Sequence, residues 1–104
     1  MQRIAFVMRV RPGQEPEYRR RHQAVWPEML QALREAGCAN YSIFMRGREL
    51  FAYLEVADFD AMRRSLAASE ASRRWEAHMA GIMEQGILPE TGFHEVLEEV
   101  FHLA

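Results

Sequence analysis

The sequence predicts an α+β domain of the ferredoxin-like type, β-α-β-β-α-β, with one antiparallel sheet and helices packed on one of its faces. Three observations carry this. The chain opens on a run that alternates strictly between apolar and polar positions. Two further alternating runs, 41–45 and 50–56, flank a short glycine-containing turn. The stretches between these runs carry apolar residues at helical spacing.

In residues 3–11, Ile4, Phe6, Met8 and Val10 face one way, and Arg3, Arg9 and Arg11 the other with Ala5 and Val7. That period of two is a strand with a strong core face, and Pro12-Gly13 ends it as a turn. Tyr18, His22, Val25, Met29 or Leu30, and Leu33 then recur at helical spacing up to Gly37, a C-terminal stop. Pro16 suits a first helical turn. Pro27 would remove a hydrogen bond inside a helix and clash with the preceding turn, so Trp26-Pro27 predicts a break between two helical pieces.

Tyr41, Ile43 and Met45 form one arm of a hairpin that turns at Arg46-Gly47-Arg48; Leu50, Ala52, Leu54 and Val56 form the other. Asp58 can cap a helix carrying Phe59, Met62 and Leu66. A further helix from about Ser69 carries Trp75, Met79 and Ile82 or Met83, so the second crossover is split in two. A loop from Gly86 and Pro89 runs to Gly92. The last segment fits either period; its β-branched and aromatic end favours a strand from about Leu97, with Phe101 and Leu103 on the same face.

A chain of 104 residues fits one domain spanning 1–104. With helices on one sheet face, the other would be bare in a monomer, and a second copy related by a two-fold axis is the natural cover. A homodimer is the expectation. The net charge of -2 provides no field for nucleic acid or an anionic membrane. The basic runs at Arg19-Arg20-Arg21, Arg63-Arg64 and Arg73-Arg74 have acidic neighbours and read as solvated helix faces. No apolar run is long enough to span a bilayer, and the first residues read as a strand rather than a signal sequence. The lone Cys38 excludes an intrachain disulfide and suits a reducing compartment, which makes a cytoplasmic protein the expectation. Between Gly37 and Ala39, it reads as a small packing residue.

Of the four histidines, His22, His78, His94 and His102, no pair has zinc-ligand spacing, so no metal site is expected. His22 is the best candidate for chemistry. Tyr18 and His22, at i and i+4, share a helix face, and Trp26 extends the row. Aromatic packing around a hydrogen-bonded core histidine accounts for that pattern by itself. Tyr41 and Trp75 add a functional reading, because both can converge on the same end of the sheet. Aromatic rings pack on the C–H face of a pyranose, hydroxyl groups bind its edge, and a histidine transfers protons near neutral pH.

The chain resembles the L-rhamnose mutarotase family over nearly its whole length. The matching stretches are Ala5-Phe6-Val7-Met8, Glu17-Tyr18-Arg19-Arg20-Arg21-His22, Trp26-Pro27-Glu28, Gly37, Asn40-Tyr41-Ser42-Ile43, Arg74-Trp75 with Met79, and Glu99-Val100-Phe101-His102-Leu103. The resemblance implies a dimeric α/β-barrel that interconverts the α and β anomers of a 6-deoxy-hexose monosaccharide without a cofactor. It also implies that His22 is the general acid and that Tyr18, Tyr41 and the segment around Trp75 contact the sugar. Two features depart from the family pattern. The second of two adjacent tryptophans is here Glu76, a carboxylate suited to hydrogen-bonding sugar hydroxyls or water. The loop before the last strand reads Gln85-Gly86-Ile87-Leu88-Pro89-Glu90. These departures leave L-fucose as a second candidate sugar beside L-rhamnose. Two other functions suit the same architecture: a cofactor-free dimeric monooxygenase, and a sugar-binding dimer without turnover.

Overall fold

The computed structural model describes residues 1–104. Strand β1 (Gln2–Val10) leads into helices α1 (Glu15–His22) and α2 (Pro27–Glu35), then the hairpin β2 (Ala39–Arg46) and β3 (Glu49–Val56). Helices α3 (Phe59–Ala68) and α4 (Glu70–Ala80) follow, with two three-residue strands, β4 (Met83–Gln85) and β5 (Glu95–Leu97). The sheet runs β2-β3-β1-β4, with β5 also paired to β1, and every pairing is antiparallel. The ferredoxin-like order and both split crossovers are present as the sequence predicts.

Each break has a local cause. Pro27 stands in the first turn of α2, where its missing N–H costs nothing, and Trp26 before it is extended (φ −58°, ψ 137°). Beyond the Ala36 cap of α2 stands Gly37, whose φ of +91° suits only glycine without strain. There the Gly37 amide donates to the Arg34 carbonyl and the Cys38 amide to that of Leu33, which closes the last turn. Asp58 accepts from the Ala61 amide at the start of α3, and Ser69 from the Ser72 amide at the start of α4.

The core lies between the sheet and the helices. Phe6, Val10, Leu50, Leu54, Val56 and Met62 are all but sealed from solvent. On the opposite sheet face, register aligns Val7 with Phe51 and Phe51 with Phe44, and Phe44 is 66% exposed.

Two expectations are corrected at the C-terminal end. The predicted strand from Leu97 instead spans Glu95–Leu97, and residues 98–104 form no regular element. Past Leu97 nothing in the same chain packs on the apolar side chains: Val100, Phe101 and Leu103 stay 79–86% exposed, and Glu99 is held to Arg3 by a two-bonded ion pair. Met83 belongs to β4 rather than to the last helix. Helix α4 stops at Ala80, and the Ile82 carbonyl accepts from the Arg11 amide, which draws the chain onto β1.

Candidate active site

Helix α1 presents its Tyr18–His22 face toward the sheet. Arg21 fixes it there: its Nη1 donates to the His78 carbonyl at the end of α4 (2.7 Å), and its Nε pairs with Glu17 (2.6 Å). Arg21 is therefore a brace between two helices, and Glu28 points to solvent. The His22 ring stacks on Tyr18 (centroids 4.0 Å, 22° between planes) and meets the edge of Trp75 at 5.6 Å. Its Nδ1 lies 3.0 Å from the Tyr18 carbonyl. A carbonyl only accepts, so Nδ1 carries the hydrogen and Nε2 is left with a free lone pair in the neutral ring.

Tyr41 reaches the same place by a backbone irregularity. Ala39 pairs with Glu55, but Ser42 pairs with Tyr53, so β2 carries one extra residue there. Asn40 takes the bulge in a left-handed conformation (φ +49°), and its side chain donates to Glu55 on the outer face. The Tyr41 ring then turns inward against Phe6 (6.1 Å, 63°).

Four of the sequence-predicted residues come together. Tyr18, His22, Tyr41 and Glu76 line one cleft of about 50 Å³. It opens past Tyr41, Glu76 and His94 into a cavity of about 600 Å³ between helices and sheet, well within the range of small-ligand sites. Trp75 does not line either space. It is buried behind His22, edge-on to Trp26 at 5.1 Å, and thereby fixes the imidazole. Cys38 is half-buried in the large cavity, and burial pushes its thiol pKa up, in keeping with a packing residue. His102 sits on the exposed terminal segment, away from the cleft. No three His, Cys, Asp or Glu side chains converge as a set of metal ligands.

His94 joins the site without any pattern in the sequence to announce it. The loop after β4 folds back, and the ring stacks on Phe6 (4.9 Å, 10°), with a buried Nδ1 that has no hydrogen-bond partner. Burial lowers its pKa to about 4, so it is neutral at pH 7. Burial likewise lowers that of His22, against the opposing pull of the Tyr18 carbonyl. The phenols of Tyr18 and Tyr41 are raised chiefly by burial, then by Glu76 for Tyr18 and by Tyr18 and Glu76 for Tyr41, so both remain hydrogen-bond donors. Glu76 is raised by burial. The cleft thus brings two neutral hydroxyl donors, an imidazole with a free lone pair and a carboxyl group to bear on a polar ligand.

Comparison with known proteins identifies the family. Residues 3–103 match the L-rhamnose mutarotase family. An L-rhamnose mutarotase of Listeria monocytogenes serotype 4b is 43% identical over the full length of both chains. One from Burkholderia orbicola is 44% identical over 99% of each. The crystal structure of an L-rhamnose mutarotase from Formosa agariphila superimposes with a TM-score of 0.82 at 34% identity, covering all of both chains. A tetracenomycin F2 cyclase from Streptomyces glaucescens (TM-score 0.62, covering 100% and 98%) and an antibiotic biosynthesis monooxygenase (0.53, covering 96% and 99%) are each 15% identical. These two share the fold alone and lend the monooxygenase reading no chemistry. The chain belongs to the L-rhamnose mutarotase family, isomerases that act on carbohydrates.

Proposed function

We propose that this protein interconverts the α and β anomers of L-rhamnose in the cytoplasm, as a homodimer and without a cofactor. One observation carries the reading: Tyr18, His22, Tyr41 and Glu76 share a cleft that opens into a cavity large enough for a hexose. Mutarotation breaks the bond between the anomeric carbon and the ring oxygen. It needs a proton delivered to that oxygen and one removed from the anomeric hydroxyl. His22, stacked and braced, is the proton-transfer residue, while Tyr18, Tyr41 and Glu76 bind sugar hydroxyls. Trp75 contributes by holding His22. The free aldehyde rotates and recloses on its other face.

Support for the dimer comes from uncovered apolar side chains: Phe44 and Leu97 on the outer sheet face, and Val100, Phe101 and Leu103 on the C-terminal segment. No helix is long and apolar enough to cross a membrane.

Saturation-transfer NMR on equilibrated L-rhamnose, L-fucose and a panel of other aldoses tests the activity. Anomer exchange of L-rhamnose faster than in buffer is expected. His22→Ala should remove most of that acceleration, on the order of 10²-fold or more, while the fold persists. An undiminished rate would place the proton transfer elsewhere. No acceleration of any aldose would leave a sugar-binding dimer without turnover. L-Fucose as the better substrate would follow from Glu76 standing where the family pattern has tryptophan.

A further inference from the structure

Ring opening delivers one proton to the ring oxygen and removes another from the anomeric hydroxyl, and His22 accounts for one of the two. The cleft contains a second group that the rest of the fold leaves unemployed. Glu76 lines both the small cleft beside His22 and the larger cavity, yet it forms no hydrogen bond and no ion pair. Every ion pair of the chain lies elsewhere, as in Arg3–Glu99, Arg9–Glu84, Arg63–Asp60 and the Arg21–Glu17 brace. Glu76 is half-buried, and no neighbouring side chain holds its carboxyl group within this largely apolar cavity. Its neighbour Trp75 holds His22 in place, so one turn of α4 sets both groups around the same space.

We infer that Glu76 is a catalytic residue that works with His22 as an acid–base pair, each on one of the two oxygens of the anomeric carbon. This rests on the mutarotase reading and adds to it the second proton. With one proton on the pair, Glu76 as the carboxylic acid protonates the ring oxygen while the free Nε2 of His22 takes the anomeric O–H proton. The O–H electron pair becomes the C=O bond of the aldehyde, and the electrons of the broken C–O bond receive the Glu76 proton. Glu76 is then carboxylate and His22 imidazolium. After the carbonyl rotates, the same two protons return along the reverse path and restore the starting state. No proton is gained or lost, and no co-reactant is needed. The opposite starting assignment, carboxylate and imidazolium, has the same proton count and belongs to the same pair.

The groups facing Glu76 suit this role. Tyr18 and His22 come from α1, Tyr41 from β2 and His94 from the loop after β4. Arg63 of α3 and Arg73 of α4 line the large cavity, but Arg63 is paired with Asp60 and Arg73 donates to the Ala67 carbonyl. Tyr18, Tyr41 and Glu76 line the same small cleft, so the carboxyl group faces both hydroxyl donors. Burial raises Glu76 and lowers His22, which draws their titrations toward each other.

The test is the pH profile of anomer exchange for wild type, Glu76→Gln and Glu76→Ala, each first shown to be folded by its amide NMR spectrum. The wild type should give a bell, since both the doubly protonated and the fully deprotonated pair are inactive. Glu76→Gln should lower kcat by about 10²-fold with KM within a few-fold, and the bell should collapse to a single titration. Formate should restore rate to Glu76→Ala in proportion to its concentration. A Glu76→Gln enzyme with unchanged kcat and an intact bell would overturn the proposal, as would a change confined to KM. A wild type that accelerates no aldose would instead overturn the mutarotase reading itself.

Discussion

The two faces of the sheet are finished to different degrees. On the inner face Phe6, Met8, Val10, Leu50, Leu54 and Val56 are at most 6% exposed, covered by four helices of the same chain. On the outer face Phe44 is 66% exposed and Leu97 45%, and the chain then continues into an apolar segment that touches almost nothing. Strand alternation serves both faces equally, so sequence pattern alone gives both an apolar set. What differs is the cover. The inner face gains its stability within the chain, and the site is built there because side chains in a sealed layer hold their geometry. The outer face has no such cover within the chain.

The largest effect that follows concerns the outer face. Deleting residues 98–104 removes Val100, Phe101 and Leu103 together with the Arg3–Glu99 pair. Sedimentation should show complete conversion of dimer to monomer, while far-ultraviolet circular dichroism stays near that of the intact chain. A deleted chain that still sediments as a dimer would place the interface elsewhere.

Next comes a paired substitution across the sheet. Leu54→Ala, at a residue only 1% exposed, should cost about 2–5 kcal/mol in urea unfolding. Phe44→Ala on the outer face should cost the monomer less than about 0.5 kcal/mol and act on dimer dissociation instead. Equal losses in monomer stability would erase the distinction between the faces.

Most of the inner face was legible from residue pattern, and the reasons are local. Strict alternation in residues 3–11 and 50–56, proline at 27, Asp58 before an apolar helix and Gly37 after one each report a backbone constraint at a single position. Tyr18 and His22 follow from i, i+4 spacing. The segment from 83 to 97 was much less legible. Its strands have three residues each, too few for a period, and Met83 continues the helical spacing of Met79 and Ile82 although the helix has already stopped. His94 belongs to that segment. Its place in the site comes from the loop folding back onto Phe6, a tertiary event that no neighbouring residue records.

His94 also makes the inner face sensitive to acid. Its folded pKa, near 4, lies below the ordinary 6.5. Between those values the unfolded chain takes up a proton that the buried ring refuses, so unfolding is favoured as pH falls. The contribution is intact above about pH 6.5 and declines toward pH 4, by on the order of 3 kcal/mol. His22, also lowered by burial, acts in the same direction. Thermal unfolding of the wild type should show a falling Tm across this window, and His94→Phe should flatten the slope. A slope that survives the substitution would assign the acid sensitivity to His22 and the carboxylates.

The smallest effect concerns how the helical cover is fastened. Asp58 and Ser69 each accept from a backbone amide three residues on, and those amides would otherwise be left without partners at the starts of α3 and α4. Replacing either by alanine should cost about 1 kcal/mol. The two are not equivalent for the site. Ser69 begins the helix that carries Trp75 and Glu76, and it is also the residue at which α3 ends, so loosening it frees both pieces of the second crossover. Asp58 fastens only α3, which lines the far side of the large cavity through Met62 and Leu66. Ser69→Ala should therefore lower kcat for anomer exchange at a temperature where Asp58→Ala, with a similar loss of stability, leaves it unchanged. Equal rates in the two variants would show that Trp75 packing, rather than the start of the helix, holds the end of α4 in place.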